Sequence, residues 1–259
     1  MPFLPLILAA AAVAAEPVTL PRTSVARLTA ASNDVPYKIY VSLPRDYETS
    51  KARYPVIYTL DADYSFAIAH NVVEHLADRD HLRWAIVVGI AYDGPPQYRI
   101  NRTRDYTPTR SLEGGYGPQY QKHSGGGPQF RTFLEKELVP WVDARYRTSA
   151  ERVLVGHSYG GLFSAWMLLT RPDLFSGYVI VSPSLWYDDE MIFEVEGSAK
   201  ARAYIAAGSI ENPIMASTAK RFGARLGAPH RVEILDDETH NSIFPSAFSR
   251  GIRWVMKGR

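Results

Sequence analysis

The chain has 259 residues, 46% of them hydrophobic and 22% charged, which is enough for a sizeable core without disulfides or metals to staple it. Its 29 basic and 27 acidic side chains leave a net charge of only +2, so composition gives no reason to expect nucleic acid as a partner. The absence of cysteine excludes disulfides, thiolate metal sites and a cysteine nucleophile.

The first 15 residues form a separate apolar stretch. They are too few to span a bilayer as a helix. Ala12-Val13-Ala14 has the small-x-small pattern that signal peptidase accepts, and polar Glu16 follows. We therefore predict a cleaved export signal over residues 1–15, a mature domain over residues 16–259 with no integral membrane segment, and a periplasmic or secreted location. A buried N-terminal helix is the alternative interpretation.

Short β-rich runs alternate with helical runs in the first part of the mature chain. Residues 38–43 alternate in polarity, which predicts a strand paired antiparallel with residues 25–29. Residues 55–60 are apolar and β-branched, as in a buried strand, and residues 64–76 have helical spacing of apolar side chains. Residues 84–90 are apolar on both faces, which predicts a central, parallel strand.

The same alternation continues to the C-terminus after one long interruption. Residues 93–127 are rich in Gly, Pro and Arg, and a connection this long is usually functional or mobile. An apolar helix face is predicted over residues 128–141. Further strands are predicted at 152–155, 178–181, 203–206 and 232–235, with helices between them and a last helix over 244–256. The pattern predicts one α/β domain, with a mostly parallel central sheet and helices on both faces.

The motif that indicates chemistry is Gly156-His157-Ser158-Tyr159-Gly160, a G-x-S-x-G sequence. A strand leads directly into it and a long apolar helix follows, which is the context of a nucleophile elbow. An elbow holds its serine in a strained conformation and needs small neighbours, a role we assign to Gly156 and Gly160, while Gly161 lets the helix approach the strand. Ser158 is therefore the predicted nucleophile.

A serine hydroxyl needs a base, which in this type of fold follows the nucleophile and the acid along the chain. Two histidines follow Ser158. His240 comes after the last predicted strand, at the edge where the elbow lies, whereas His230 precedes that strand and is expected in a surface turn. His240 is the predicted base.

A carboxylate is expected to orient the base from the loop after the preceding strand. Glu211 is the first carboxylate after residues 203–206, and we predict that it completes the triad. The alternatives are Asp236 and Asp237, close to His240 in sequence, and Asp188 and Asp189.

Two backbone amides are needed to stabilise a tetrahedral oxyanion. One is expected from Tyr159, after the nucleophile, and the other from the loop after residues 55–60, where we favour the amide of Asp63. The glycine-rich segment 123–127 follows the wrong strand for this task, and we expect it to be a flexible lead-in to the next helix.

Substrate contacts are predicted for Arg102, Arg104 and Trp186, because arginine and aromatic side chains suit an anionic or catechol-like substrate. In the alternative interpretation, Arg104 merely pairs with Asp105. The histidine and carboxylate spacings indicate no metal site, and no cofactor is expected.

The chain resembles the putative-esterase family of α/β-hydrolases (esterase D-like), and within it the ferric enterobactin or siderophore esterase branch. The matching segments are Tyr58-Thr59-Leu60-Asp61-Ala62-Asp63, Arg104-Asp105-Tyr106-Thr107-Pro108, Gly156-His157-Ser158-Tyr159-Gly160-Gly161-Leu162-Phe163, Ser182-Pro183-Ser184-Leu185-Trp186, Gly208 to Glu211, and His240-Asn241-Ser242.

This resemblance implies the α/β-hydrolase fold and hydrolysis of small-molecule carboxylic esters through an acyl-serine, with siderophore trilactones among the candidate substrates. Some siderophore esterases resemble a Ser-His dyad, which stays open as an alternative to a triad with Glu211. Two other functions are also open: acyl transfer on the same fold, and non-catalytic binding of a siderophore or peptide.

Overall fold

The computed structural model describes residues 16–95 and 97–257. The predicted export signal, residues 1–15, lies outside these residues. Within the described part of the chain, no helix is both long and apolar enough to cross a membrane.

Eight strands form one sheet in the order β1-β2-β4-β3-β5-β6-β7-β8. The strands are β1 (Thr23–Thr29), β2 (Pro36–Ser42), β3 (Tyr54–Thr59), β4 (Ile86–Tyr92), β5 (Thr148–His157), β6 (Gly177–Val181), β7 (Arg202–Gly208) and β8 (His230–Leu235). From β4 to β8 the neighbouring strands are parallel, whereas β1 with β2 and β2 with β4 are antiparallel. The predicted mostly parallel sheet is confirmed.

Helices follow the strands from β3 onward. They are α1 (Ala62–Arg79), α2 (Tyr98–Tyr106), α3 (Pro118–Gln121), α4 (Gly127–Thr132), α5 (Val139–Arg145), α6 (Tyr159–Thr170), α7 (Tyr187–Glu190), α8 (Pro213–Arg225) and α9 (Ile243–Val255), with a π-helical turn at Phe133–Leu138 and a 3₁₀ turn at Met191–Phe193.

Apolar layers cover both faces of the sheet, as successive residues of β3 demonstrate. Val56 and Tyr58 belong to the layer that includes Phe163 of α6, whereas Ile57 belongs to the layer that includes residues of α1 and α9. Because side chains of a strand alternate between faces, a run buried throughout needs both layers.

Three sequence-based expectations differ from the structure. β4 lies inside the sheet as predicted, but it is parallel only to β3 and is antiparallel to β2. Both of its faces are apolar because an apolar layer packs on each side of the sheet, not because it has two parallel neighbours. Residues 93–127 are not one open loop, because they contain α2 and α3. The helix predicted over 128–141 is interrupted by the π-helical turn just before Pro140, which has no amide N–H to continue the α-helical bonding.

Candidate active site

Ser158 lies alone in the turn between β5 and α6. Its backbone has φ 60° and ψ −120°, a conformation that non-glycine residues rarely adopt. Its amide donates to the Val181 carbonyl at 3.0 Å, and its carbonyl accepts from the amides of Leu162 at 2.9 Å and Ser184 at 3.1 Å. These bonds, to α6 and to the end of β6 with the loop after it, hold the strained turn that places Ser158 at the edge of the sheet.

The glycines around Ser158 are not equally required. A Cβ atom at Gly156 would overlap the carbonyl of Gly160, and one at Gly161 would lie 2.9 Å from the carbonyl oxygen of Val181. A Cβ at Gly160 would come no closer than 3.4 Å to another group. The expectation that a glycine is needed for space therefore holds at Gly156 and Gly161, while Gly160 has some room.

His240 and Glu211 are in direct contact. His240 lies between β8 and α9, and its Nδ1 is 2.9 Å from Oε2 of Glu211. The Glu211 carboxylate is 1% exposed, and its Oε1 accepts from the Ser182 hydroxyl at 2.5 Å and the Gly208 amide at 2.6 Å. Burial alone would raise the pKa of Glu211, but these three donors outweigh it and hold the pKa below its usual value. The carboxylate is thus kept ionised beside the imidazole.

The competing residues lie in other environments. His230 is exposed at the start of β8, where its ring bonds to the carbonyl of Ala228. Asp188 accepts a hydrogen bond from the Thr109 hydroxyl. Of the carboxylates considered from the sequence, Glu211 is the one bonded to His240.

Ser158 and His240 line the same cavity, which has a volume of about 540 Å³. Its walls include the aromatic rings of Tyr64, Tyr98 and Phe244. A second cavity of about 550 Å³ lies beside β8 and α9, and its lining contains none of the predicted site residues. We therefore regard the first cavity as the candidate active site.

The two predicted oxyanion donors lie at the N-termini of two helices, and each helix follows one of two strands that are neighbours in the sheet. Tyr159 is the first residue of α6 and Asp63 the second of α1, so neither amide has an acceptor inside its own helix. The strands that precede the two helices, β3 and β5, are paired with each other as far as Thr59 and Val155. The amides of the glycine-rich segment 123–127 are engaged elsewhere, with those of Gly125, Gly126 and Gly127 donating to α2 and Thr107.

Arg102 lines the cavity, but its guanidinium is committed to other protein groups. Its Nε and Nη2 donate to the two carboxylate oxygens of Asp61 at 2.7 and 3.0 Å, and its Nη2 also donates to the His157 carbonyl at 3.2 Å. Asp61 has the left-handed backbone angles φ 55° and ψ 47° immediately before α1. Arg102 thus fixes the loop that precedes the predicted oxyanion donor, a role that the sequence did not reveal.

The other two predicted substrate contacts lie outside the residues that line the cavity. Arg104 donates to both carboxylate oxygens of the buried Asp105, at 2.7 and 3.1 Å, as in the alternative interpretation. The Trp186 ring packs 6.3 Å from that of Tyr159. In this structure Arg104 and Trp186 therefore contact protein groups that do not line the cavity.

His157, inside the elbow motif, has two polar contacts that its place in the motif does not predict. Its Nε2 lies 2.8 Å from the carbonyl oxygen of His240, and its Nδ1 lies 3.0 Å from the Tyr64 hydroxyl. Burial, together with the nearby His240 and Arg102, lowers the pKa of His157 to about 3. The ring is therefore neutral at physiological pH. The only sequence signal was its place in the elbow.

An elbow serine and a carboxylate-bonded histidine at one edge of an eight-stranded α/β sheet define a serine hydrolase of the α/β-hydrolase fold. The sequence matches the family described as "Putative esterase" over residues 30–236. It is 30% identical to the ferri-bacillibactin esterase BesA of Bacillus subtilis (strain 168), covering 92% of this chain and 91% of the relative.

Solved structures agree with this assignment. The BES protein from Bacillus cereus superposes with a TM-score of 0.83 at 25% identity, covering 95% of this chain and all of that one. An IroE-like serine hydrolase from Shewanella oneidensis gives a TM-score of 0.79 at 29% identity, covering 91% and 80% of the two chains. The chain belongs to the putative-esterase family.

Replacement of Arg102 by alanine is expected to lower the free energy of unfolding by about 3–5 kcal/mol, because it leaves the Asp61 carboxylate buried without its partner. The double variant Arg102→Ala/Asp61→Asn should recover part of that loss. The control, Arg79→Ala, removes an exposed ion pair with Asp78 and should cost less than about 1 kcal/mol. Urea unfolding measures the free energy of unfolding of all three variants. Equal losses in Arg102→Ala and Arg79→Ala would contradict the role assigned to Arg102.

Replacement of His157 by glutamine is expected to make stability less sensitive to acid. As the pH falls from 6.5 towards 3, unfolded wild-type chains bind a proton at His157 that folded chains exclude, so this group destabilises the fold progressively in that window. Glutamine does not titrate. Urea unfolding at about pH 8 and about pH 5 should therefore give a smaller difference for His157→Gln than for wild type. The exposed His230→Gln serves as control, and an unchanged difference in His157→Gln would refute the expectation.

Proposed function

We propose that this esterase hydrolyses ester bonds of siderophores after export, with Ser158 as nucleophile, His240 as general base and Glu211 as the group that orients the base. The observation that carries the catalytic roles is the 2.9 Å bond between His240 and Glu211 at the cavity that also contains Ser158. The predicted signal over residues 1–15 supports export.

In the first half of the reaction, the Ser158 oxygen attacks the ester carbonyl carbon while His240 accepts the hydroxyl proton. The Glu211 carboxylate accepts the Nδ1–H bond, which leaves Nε2 as the proton acceptor and stabilises the imidazolium that forms. When the tetrahedral intermediate collapses, the bond to the leaving oxygen breaks and His240 returns the proton to the departing alcohol.

In the second half, water attacks the acyl-serine as His240 removes its proton. A second tetrahedral intermediate collapses to the free carboxylic acid, and the proton on His240 returns to the Ser158 oxygen. The amides of Tyr159 and Asp63 would donate to the oxyanion in both halves, because both stand in first helical turns without internal acceptors.

The walls of the cavity favour an aromatic substrate over a freely anionic one. Tyr64, Tyr98, Tyr116 and Phe244 supply rings that can pack against aryl groups. Arg102 is the one Arg or Lys side chain among the described residues lining the cavity, and Asp61 already neutralises it. The hydroxylated aryl rings of a catecholate siderophore suit these walls, and the name of the Bacillus subtilis relative supports the siderophore class.

Removal of each catalytic group is expected to lower kcat, by an amount that depends on the role of the group. Ser158→Ala and His240→Ala should each lower kcat by at least about 10³-fold, because the groups act as a unit. Glu211→Gln should lower kcat less than His240→Ala, since the base remains but is poorly oriented.

The matched control is Asp188→Asn, a competing carboxylate that bonds Thr109 and is expected to leave kcat near the wild-type value. Ester hydrolysis followed at saturating substrate measures all four variants. Turnover by Ser158→Ala within about tenfold of wild type would exclude Ser158 as the nucleophile. An unchanged rate in Glu211→Gln would favour a Ser-His dyad.

The substrate class is tested with a panel of esters. We expect kcat/KM for a catecholate trilactone to exceed that for a short p-nitrophenyl ester by more than about tenfold, which corresponds to a difference of about 1.4 kcal/mol in activation free energy. A preference for the short ester would overturn the siderophore assignment but not the esterase activity. Addition of an alcohol acceptor, with analysis of the products, separates hydrolysis from acyl transfer.

A further inference from the structure

His157 connects two parts of the active site that are far apart in sequence. Its ring lies at the end of β5, 4.6 Å from the His240 ring and edge-on to the Tyr64 ring at 6.2 Å. Tyr64 belongs to the first turn of α1, and His240 to the loop between β8 and α9. The imidazole of His157 thus connects α1 with the loop between β8 and α9.

The direction of each hydrogen bond follows from its partners. A carbonyl oxygen can only accept, so Nε2 of His157 carries the hydrogen that is donated to His240 across 2.8 Å. The ring is neutral, which leaves Nδ1 as an acceptor for the Tyr64 hydroxyl at 3.0 Å. The His240 carbonyl thereby fixes the tautomer of His157, and the Tyr64 hydroxyl supports that tautomer by donating to Nδ1.

We infer that Tyr64 and His157 form a positioning pair, which fixes the backbone carbonyl of His240 and so sets the place of the catalytic imidazole relative to Ser158. The inference rests on the proposed function of His240 as the base. Neither residue exchanges a proton with the substrate in this role, since both act through the loop that carries His240.

Two anchors are needed because the Glu211 bond restrains only one atom of the His240 ring. Glu211 fixes Nδ1, while the carbonyl bond from His157 fixes the backbone of the same residue. Together they limit rotation of the ring, and a displacement of about 1 Å at a reacting group can cost about 100-fold in rate. Tyr64 also follows Asp63 directly in α1, so the pair ties the base to the helix of the proposed oxyanion donor.

The test compares four variants of the mature protein by kcat and KM for a p-nitrophenyl ester. His157→Leu removes both bonds and should lower kcat by about 10- to 100-fold, with KM changed by less than about threefold. His157→Gln keeps an amide N–H able to reach the His240 carbonyl and should recover most of the loss. Tyr64→Phe should lower kcat less than His157→Leu. The double variant Tyr64→Phe/His157→Leu should be no worse than His157→Leu, because the hydroxyl acts only through the imidazole.

Two controls remove similar groups elsewhere. His70→Gln replaces a buried histidine bonded to Ser42, and Tyr58→Phe replaces a buried tyrosine of β3; both are expected to retain kcat. Thermal unfolding checks that each variant folds, and if His157→Leu does not, the comparison of His157→Gln with Tyr64→Phe remains decisive, since only the latter should lower kcat appreciably.

Three results would overturn the inference: a glutamine variant as impaired as the leucine variant, a loss that appears in KM instead of kcat, or effects of Tyr64→Phe and His157→Leu that multiply. Failure of the proposed function is distinguishable, because it would appear as sustained turnover by Ser158→Ala or His240→Ala.

Discussion

The active site depends on the parallel hydrogen-bonded register of the strands from β3 to β8. Parallel pairing of β3 with β5, β5 with β6, β6 with β7 and β7 with β8 brings the carboxyl ends of five strands to one edge of the sheet. Ser158, Ser182, Glu211 and His240 each follow one of those ends. Residues separated by up to 82 positions therefore meet without any long side chain reaching across the fold, which is why open α/β sheets place their sites there.

Much of this arrangement could be predicted from the sequence because it is local in character. The G-x-S-x-G motif between a strand and a helix located Ser158, and chain order selected His240 over His230. Glu211 was found as the first carboxylate after its strand, and the structure places it in contact with His240. Each inference needed only the order of strands and the residue that follows each one.

The polar contacts behind the site could not be predicted in the same way. Arg102 was expected to face substrate, but α2 folds back so that its guanidinium meets Asp61, 41 positions earlier in the chain. His157 bonds residues 93 positions before it and 83 positions after it. Such contacts depend on where residues 93–127 and the loop after β8 lie in the tertiary structure. The spacing of apolar residues and the secondary-structure propensities of the sequence do not indicate these positions. The bonds from Arg102 also help to hold the left-handed backbone of Asp61, whereas backbone bonds to Val181 and Ser184 hold that of Ser158.

In the proposed mechanism Ser158 carries the acyl group and is activated by His240. The most direct measurement is brief treatment of the protein with a fluorophosphonate, followed by proteolysis and mass spectrometry of the modified peptide. We expect a single adduct on Ser158 in the wild type and much slower labelling in His240→Ala. An adduct on another residue, or an unlabelled Ser158 in protein that still hydrolyses esters, would contradict this mechanism.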